Sequence, residues 1–347
     1  MTIINGIEID DITFTFNDIK LAIKNNRPIE DKLNVIIVVS NPCLYARRYI
    51  LLKEFVKRFE EEEDNVSLFI VELVYGDQKF IVTDKKNKRH LQLRTNTAPL
   101  WHKENMINIA VRELLPSDWK AFAWIDADIE FDSVTWAQDT LKILNGCKDV
   151  VQLFSHCIDM NKDQLNLNIF NGFGYSFTKG KKYTIRGQDY WHPGYAWAMT
   201  RDAYERLGGI YEHGVLGSSD SIMALSFIGK AQAMQRGDYH EDYNNSMTEF
   251  QDKCRGLRLG YVPGIIRHYY HGSKENRRYT ERWKILMKHN FSPLNHLTYD
   301  HTNKGLMIPT EQFSQEFKDD IFNYFAERKE DDQFQDPGPG RPLSKTL

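Results

Sequence analysis

The hydrophobic residues of the chain follow two rhythms. Asn34–Ser40 (NVIIVVS) and Val66–Tyr75 (VSLFIVELVY) are nearly continuous apolar runs of strand length, the pattern of strands covered on both faces. Between them Ile50, Leu51, Phe55 and Phe59 recur at helical spacing over Tyr45–Glu62. Strand, helix and strand at this spacing predict a parallel βαβ unit with a right-handed crossover. Two short alternating pieces follow, Phe80–Val82 and Leu91–Leu93. Next come a helix over His102–Leu115 with Met106, Ile109 and Ala110 inside, strand Ala121–Ile125, helix Val134–Leu144 and strand Val150–Phe154. The polar, Asn- and Gly-rich stretch Asp159–Gln188 reads as loop. Strand Tyr195–Thr200 leads into helix Arg201–Leu207, which Gly208-Gly209 closes. Helix Ser219–Ile228, strand Tyr261–Tyr270 and helix Arg277–His289 complete the ordered part. The expected fold is α/β: a Rossmann-like, mostly parallel central sheet flanked by helices in a single large domain.

Weak alternation of Ile3, Ile4, Ile7, Ile9, Ile12, Phe14 and Phe16 makes residues 1–33 an N-terminal extension or hairpin. The body divides into halves at 34–155 and 156–300. Residues 301–347 form a C-terminal extension whose tail, EDDQFQDPGPGRPLSKTL, is polar, rich in Pro and Gly, and expected to be disordered.

Composition narrows the function. The chain is 41 % hydrophobic and 27 % charged, as an ordinary globular protein is. A net charge of −3 and a pI near 6.4 argue against a dedicated nucleic-acid binder with a broad basic face. Cys43, Cys147, Cys157 and Cys254 are scattered with no CxxC pair, which speaks against a thiolate cluster or a disulfide framework. The opening MTIINGIEIDDITF lacks the basic start and apolar core of a signal peptide, and no apolar run approaches the roughly 18 residues of a membrane span. A cytoplasmic protein is expected.

Chemistry concentrates in five places. AFAWI runs into Asp126-Ala127-Asp128, putting two carboxylates at the carboxyl edge of a parallel sheet, where open α/β proteins bind ligands. Paired acids there suit a divalent cation bound with a diphosphate; a solvated turn is the plainer alternative. Lys103 and Asn108, on the preceding helix, are placed to reach a nucleotide at that edge, or simply make a polar helix start. In Trp191-His192-Pro193-Gly194-Tyr195, Gly194 admits close approach of a ligand to the backbone, and Trp191 and His192 offer an acceptor wall. Asp220 stands in the first turn of an apolar helix, where the helix dipole favours the carboxylate; a capping acid is the alternative. Finally, Arg267-His268-Tyr269-Tyr270-His271-Gly272-Ser273-Lys274, with Arg277 and Arg278 beyond, joins two histidines to a basic cluster, suiting a metal ligand and phosphate partners.

The order of these blocks resembles the GT-A nucleotide-sugar glycosyltransferases. VIIVVSNP, VELVYGD, LWHKENMINIAVRELLPSDWKAFAWIDADIEF, HPGYAWAMTRDAYERLGGIYEHGVLGSSD and IIRHYYHGSKENRRY appear in that family's order and span about Asn34 to His289. His102–Asp128 is similar to the β-1,4-galactosyltransferase pattern, and the WHKEN…WIDAD…HG blocks to bacterial and phage glycosyltransferase-like proteins. The resemblance implies a GT-A fold with a nucleotide-sugar-binding half at 34–155 and an acceptor-binding, catalytic half at 156–300. It implies Mn2+ or Mg2+ on Asp128, with Asp126 near the ribose or the metal, and His271, or else His268, as the late ligand. Asn41 and Asp77 would line the nucleoside pocket, and Lys274 and Arg278 would help stabilise the leaving nucleoside diphosphate. Asp220 would be the general base of an inverting transfer to an acceptor hydroxyl. The implied donor is a nucleoside-diphosphate sugar, with UDP favoured; the acceptor is a glycan, a protein or possibly DNA. The chain departs from the inverting pattern in placing Ser218 and Ser219, rather than an acidic pair or Trp-Gly-Gly, before Asp220.

Three rivals remain. A haloacid-dehalogenase-type phosphatase carries Asp-x-Asp after its first core strand, whereas two buried strands precede it here. A non-catalytic nucleotide-sugar-binding module would show no turnover. A transferase acting on hydroxylated DNA bases would use the basic patch Lys85, Lys86, Lys88 and Arg89.

Overall fold

The computed structural model describes residues 2–4, 7–9, 17, 32–184, 190–273, 275–277 and 281–332. Strands β1 (Thr2–Ile4) and β2 (Ile7–Ile9) pair antiparallel. The main body is an α/β arrangement around a seven-stranded sheet. Its strands are β3 (Leu33–Ser40), β4 (Val66–Tyr75), β5 (His90–Thr95), β6 (Ala121–Ile125), β8 (Val150–Gln152), β12 (Ala196–Thr200) and β13 (Leu259–Tyr261), in the order β13-β8-β12-β6-β3-β4-β5. Only β12 runs against the rest, so the sheet is mostly parallel, as expected.

The β-branched run of β3 explains the layering. Leu33, Val35, Ile37 and Val39 join one core with Leu52, Phe55 and Phe59 of helix Ala46–Glu62 and with Trp136 of helix Trp136–Leu144. Ile36 points the other way, into a second core with Met106, Ile109 and Ala110 of helix Lys103–Glu113. Alternate side chains of one strand thus feed two cores, which is why its sequence shows no polar face.

A second sheet of five strands, in the order β11-β10-β9-β14-β7, adjoins the first. It comprises β7 (Ile129–Phe131), β9 (His156–Met160), β10 (Asn166–Gly172), β11 (Trp191–His192) and β14 (Ile265–His268). Three expectations are corrected here. The stretch from Asp159, read as loop, carries the end of β9, strand β10 and helix Phe173–Thr178. Its apolar alternation is hidden because His156 and Asp159 are buried polar residues held by side-chain hydrogen bonds. The single strand expected over Tyr261–Tyr270 is divided between β13 and β14 in different sheets, with Gly264 at φ 143° between them. The piece Phe80–Val82 forms no strand, because the buried carboxylate of Glu72 accepts the backbone N–H groups of Ile81, Val82 and Thr83.

The ordered part also runs past His289. Helix Gln315–Ala326 buries Phe317, Ile321, Tyr324 and Phe325, and β15 (Leu297–Asp300) pairs with β16 (Leu306–Pro309). Helix Glu241–Cys254, which the reading of the sequence missed, buries Tyr243, Met247, Phe250 and Cys254 at helical spacing. Glu330 and Asp331, the first residues of the tail expected to be disordered, are anchored. Asp331 accepts the N–H groups of Ala46 and Arg47 at 2.9 Å each, capping a helix whose N-cap side chain supplies no bond. The rest of the tail, from residue 333, lies outside the described residues.

His102 ties this C-terminal region to the sheet. Its Nε2 lies 2.9 Å from the Met307 carbonyl, which can only accept, so Nε2 carries the proton. Nδ1 then accepts from the Tyr75 hydroxyl at 3.2 Å, and Tyr75 in turn meets Ser40 Oγ at 2.8 Å. Burial drags the His102 pKa down to about 4, with the Met307 carbonyl opposing. Between about pH 4 and the ordinary value near 6.5 the unfolded chain binds this proton and the folded chain does not, so stability is lost as the pH falls through that window. Between pH 7 and pH 4.5 the native protein should therefore lose about 2 kcal/mol more than a His102→Gln variant in urea unfolding. Parallel pH profiles would show that His102 titrates normally in the fold.

Candidate active site

A cavity of about 920 Å³ opens at the carboxyl ends of β3 and β6 and is lined by residues of both sheets. The parallel strands deliver Asn41 and the Asp126–Asp128 segment to this edge, while β12, running the other way, brings its entry residues Gly194 and Tyr195 to the same place. Of the residues singled out in the sequence, Asn41, Lys103, Asp126, Asp128, Trp191, His192, Gly194, Asp220, His268 and His271 all line it.

The two aspartates have separate surroundings. Asp126 pairs with Lys103, and its backbone N–H donates to the Tyr195 carbonyl at 2.8 Å. Burial alone would lower the Lys103 pKa, but Asp126 and Glu104 raise it above the ordinary lysine value, so the ammonium stays charged. Asp128 instead faces two histidines. Its Oδ2 is 2.9 Å from His271 Nε2 and 3.7 Å from His268 Nε2, and the three potential ligand atoms lie within 4.8 Å of one another. Antiparallel pairing of β7 with β14 sets Ile129 opposite His268 and so brings the neighbouring Asp128 to the imidazole. Asp126, committed to Lys103, is not part of this cluster.

The cluster has the marks of a cation site. Asp128 Oδ1 is buried with no hydrogen-bond partner among the described residues. Burial would raise the Asp128 pKa, but His271 and His268 hold it well below the ordinary carboxylate range. His268 Nδ1 meets Asp159 Oδ1 at 2.7 Å, which places a proton on Nδ1 and makes Nε2, on the Asp128 side, the nitrogen that a cation would take. A carboxylate behind the imidazole is the support typical of metal-binding histidines. Arg277 donates to His271 Nε2 at 2.8 Å, adding a cation beside the triad. Asp159 escaped the sequence reading because it sat in the supposed loop.

Around this centre, Tyr195 has φ 79° and stacks flat on His192, with ring centroids 4.1 Å apart, while its other neighbour is the His268 ring at 4.7 Å. A non-glycine residue held in the left-handed region is strained backbone of the kind retained at functional sites. Gly194 leaves little room for a side chain: a Cβ there would stand 3.0 Å from Asp220 Oδ2 and from the His192 ring, and one of them would have to give way. Asp220 lies in the first turn of helix Ser219–Phe227, with Oδ1 accepting from Ser221 N at 2.8 Å. Trp191 is buried, edge-on to Phe173 and Tyr183, so its ring is as much core as wall.

Another part of the wall comes from the C-terminal segment, which the sequence reading left out of the site: Glu330 Oε2 lies 3.8 Å from His271 Nδ1. Glu330, 1 % exposed, is gripped by Arg48 at 2.6 and 2.7 Å and by Arg328 at 2.7 Å. Burial opposes its ionisation, yet the two guanidinium groups hold its pKa well below the ordinary range. Arg48 also donates to the Ser40 carbonyl at 2.8 Å, so the end of β3, helix Ala46–Glu62 and residues 328–330 close together.

Two candidates are corrected. Asn108 does not reach the cavity: its amide donates to the Ile210 carbonyl and Glu212, and its oxygen accepts from Ile210 N and the Tyr204 hydroxyl. That clamp explains Gly209, where a Cβ would stand 3.1 Å from the Asn108 oxygen. Asp77 is exposed on the turn after β4 and is not among the cavity residues. Asn41 lines the cavity, but its amide is engaged with the backbone of Tyr45. Lys274 and Arg278 lie outside the described residues.

Among the described residues no helix is long and apolar enough to cross a membrane. No protein-family model matches the chain, and no curated protein matches its sequence. Similar solved structures include the mannosyltransferase PcManGT from Pyrobaculum calidifontis in complex with GDP-Man and Mn2+. That match has 11 % identity and a TM-score of 0.39, and covers 78 % of this chain and 69 % of that one. A protein assigned as a nucleotide-diphospho-sugar transferase from Desulfovibrio desulfuricans G20 matches at 11 % identity and a TM-score of 0.31, over 75 % of this chain and 99 % of that one. Likeness at this level says nothing about chemistry, which rests on the side chains described above.

Proposed function

We propose that the chain is a metal-dependent glycosyltransferase that moves a sugar from a nucleoside-diphosphate sugar to an acceptor hydroxyl with inversion. The observation that carries this reading is the convergence of Asp128, His268 and His271 on the cavity wall around a carboxylate oxygen with no partner. Asp128, His268 and His271 would hold the ion, which supplies positive charge against a diphosphate. Two imidazoles and a carboxylate suit a first-row transition ion such as Mn2+ better than Mg2+, which keeps to oxygen ligands.

Arg277, beside His271, is placed to meet the same diphosphate, and we assign Lys274 and Arg278 to that task as well. Lys103 neutralises Asp126, so the pair adds no net charge at the floor of the cavity. Asp220 takes the proton of the acceptor hydroxyl as its oxygen bonds to the anomeric carbon, while the bond from that carbon to the phosphate oxygen breaks and the nucleoside diphosphate leaves. UDP is the favoured nucleotide on the resemblance of the sequence, and the acceptor is a glycan or a protein hydroxyl. Lys85, Lys86, Lys88 and Arg89 are exposed on the turn into edge strand β5 and are not among the cavity residues, so their position does not favour DNA.

The test is thermal stability with UDP, GDP, CDP and dTDP and their sugars, each with and without Mn2+. A ligand present at about 100 times its Kd adds about 2.7 kcal/mol, a rise in Tm of roughly 4 °C for a chain of this size. One nucleotide should raise Tm only with metal, and its sugar should then be consumed. Absence of any metal-dependent rise removes the reading, and a rise without consumption leaves a binding module.

A further inference from the structure

One buried carboxyl on the cavity wall takes no part in the chemistry above. Glu104, in the first turn of helix Lys103–Glu113, is 3 % exposed and lines the cavity. Its Oε2 is buried with no hydrogen-bond partner among the described residues. The adjacent Lys103 is committed to Asp126 and does not satisfy it. A buried carboxyl oxygen with no partner is costly, and such groups are retained where something else completes them.

The position narrows what that is. The charged groups acting on Glu104 are Lys103, Asp126 and Asp220. If the Asp128 triad holds the diphosphate and Asp220 receives the acceptor proton, the transferred ring occupies the cavity that Glu104 also lines. Burial, reinforced by Asp220 and opposed by Lys103, pushes the Glu104 pKa up to about 8, so at neutral pH the carboxyl carries a proton. A protonated carboxyl both donates and accepts, and a sugar hydroxyl does the same.

We infer that Glu104 reads a hydroxyl of the transferred sugar and so selects hydroxyl-bearing donors over their deoxygenated counterparts. This rests on the glycosyltransferase reading and goes beyond it in naming a residue for donor-sugar selection. A pocket that hydrogen-bonds a substrate hydroxyl rejects the analogue lacking it far more strongly than an apolar pocket rejects a missing methylene.

The experiment separates the sugar from the nucleotide. Dissociation constants are measured at saturating Mn2+ for wild type, Glu104→Gln and Glu104→Ala, with the nucleoside diphosphate that stabilises the wild type, its hexose conjugate and the monodeoxy conjugates of that hexose. Thermal melts check that each variant is folded. The diphosphate alone should bind all three within about 2-fold, while the hexose conjugate weakens about 10-fold or more in Glu104→Ala and less in Glu104→Gln. One monodeoxy conjugate should bind wild type and Glu104→Ala alike. An unchanged sugar increment in Glu104→Ala, or equal weakening of diphosphate and conjugate, overturns the assignment and leaves Glu104 bound to water or purely structural. If wild type binds no nucleotide with Mn2+, the glycosyltransferase reading fails first and takes this one with it.

Discussion

Asp128→Ala is expected to lower the affinity of the protein for Mn2+ by at least about 100-fold and to abolish metal-dependent binding of the nucleotide. Loss of a supporting partner alone typically costs 10- to 100-fold in metal affinity, and Asp128 is the only carboxylate of the triad. The fold should survive. Asp128 lies at the cavity edge just before β7, and His268 keeps its bond to Asp159 when the carboxylate is gone. Removing an anion that two imidazoles hold well below the ordinary carboxylate range forfeits an attraction that outweighs its burial cost, so the metal-free variant should melt below wild type while remaining folded. Titration calorimetry with Mn2+, with a melt of each variant, checks both statements. Unchanged Mn2+ affinity would mean that the three residues are an ion-paired cluster and nothing more.

Asp220→Asn should leave the donor Kd within about 3-fold of wild type while transfer falls by about 10²- to 10⁴-fold, the usual contribution of a positioned general base. The amide keeps the size of the carboxylate and can still accept from Ser221 N, so position is retained and only proton acceptance is lost. Because Gly194 sits against Asp220, a larger replacement would confuse this result with a steric one. Single-turnover transfer at saturating donor reads the chemical step directly. Full activity in the variant would remove Asp220 as base, and with it the argument for inversion.

What was legible in the sequence follows from the range of the forces involved. β3, β4 and β6 announced themselves because strands covered on both faces need long apolar runs, and the residue ending such a strand lands at the sheet edge whatever the rest does. Asp126 and Asp128 were therefore visible as residues of one sheet edge, and His268 and His271, at the end of a later strand, line the same cavity. β9 was not legible, because His156 and Asp159 interrupt its apolar pattern, and Asp159 is tolerated in the interior through His268, a partner 109 residues away. Asn108 misled for the converse reason: a polar residue at the right point on the helix spends all its hydrogen bonds on Ile210, Glu212 and Tyr204.

The sequence by itself determined the α/β class, the mostly parallel sheet and the edge at which the chemistry gathers, because apolar periodicity and strand ends are local properties. Only the tertiary structure decided that Asp126 serves Lys103 while Asp128 joins the histidines, since two side chains two residues apart diverge according to which neighbours pack beside each. It also decided that Glu330, in a segment composed like a disordered tail, becomes a buried wall of the cavity. A charged residue in a polar segment is stable in the interior only when counter-charges such as Arg48 and Arg328 wait there, and the pairing with Arg48 spans 282 residues of chain.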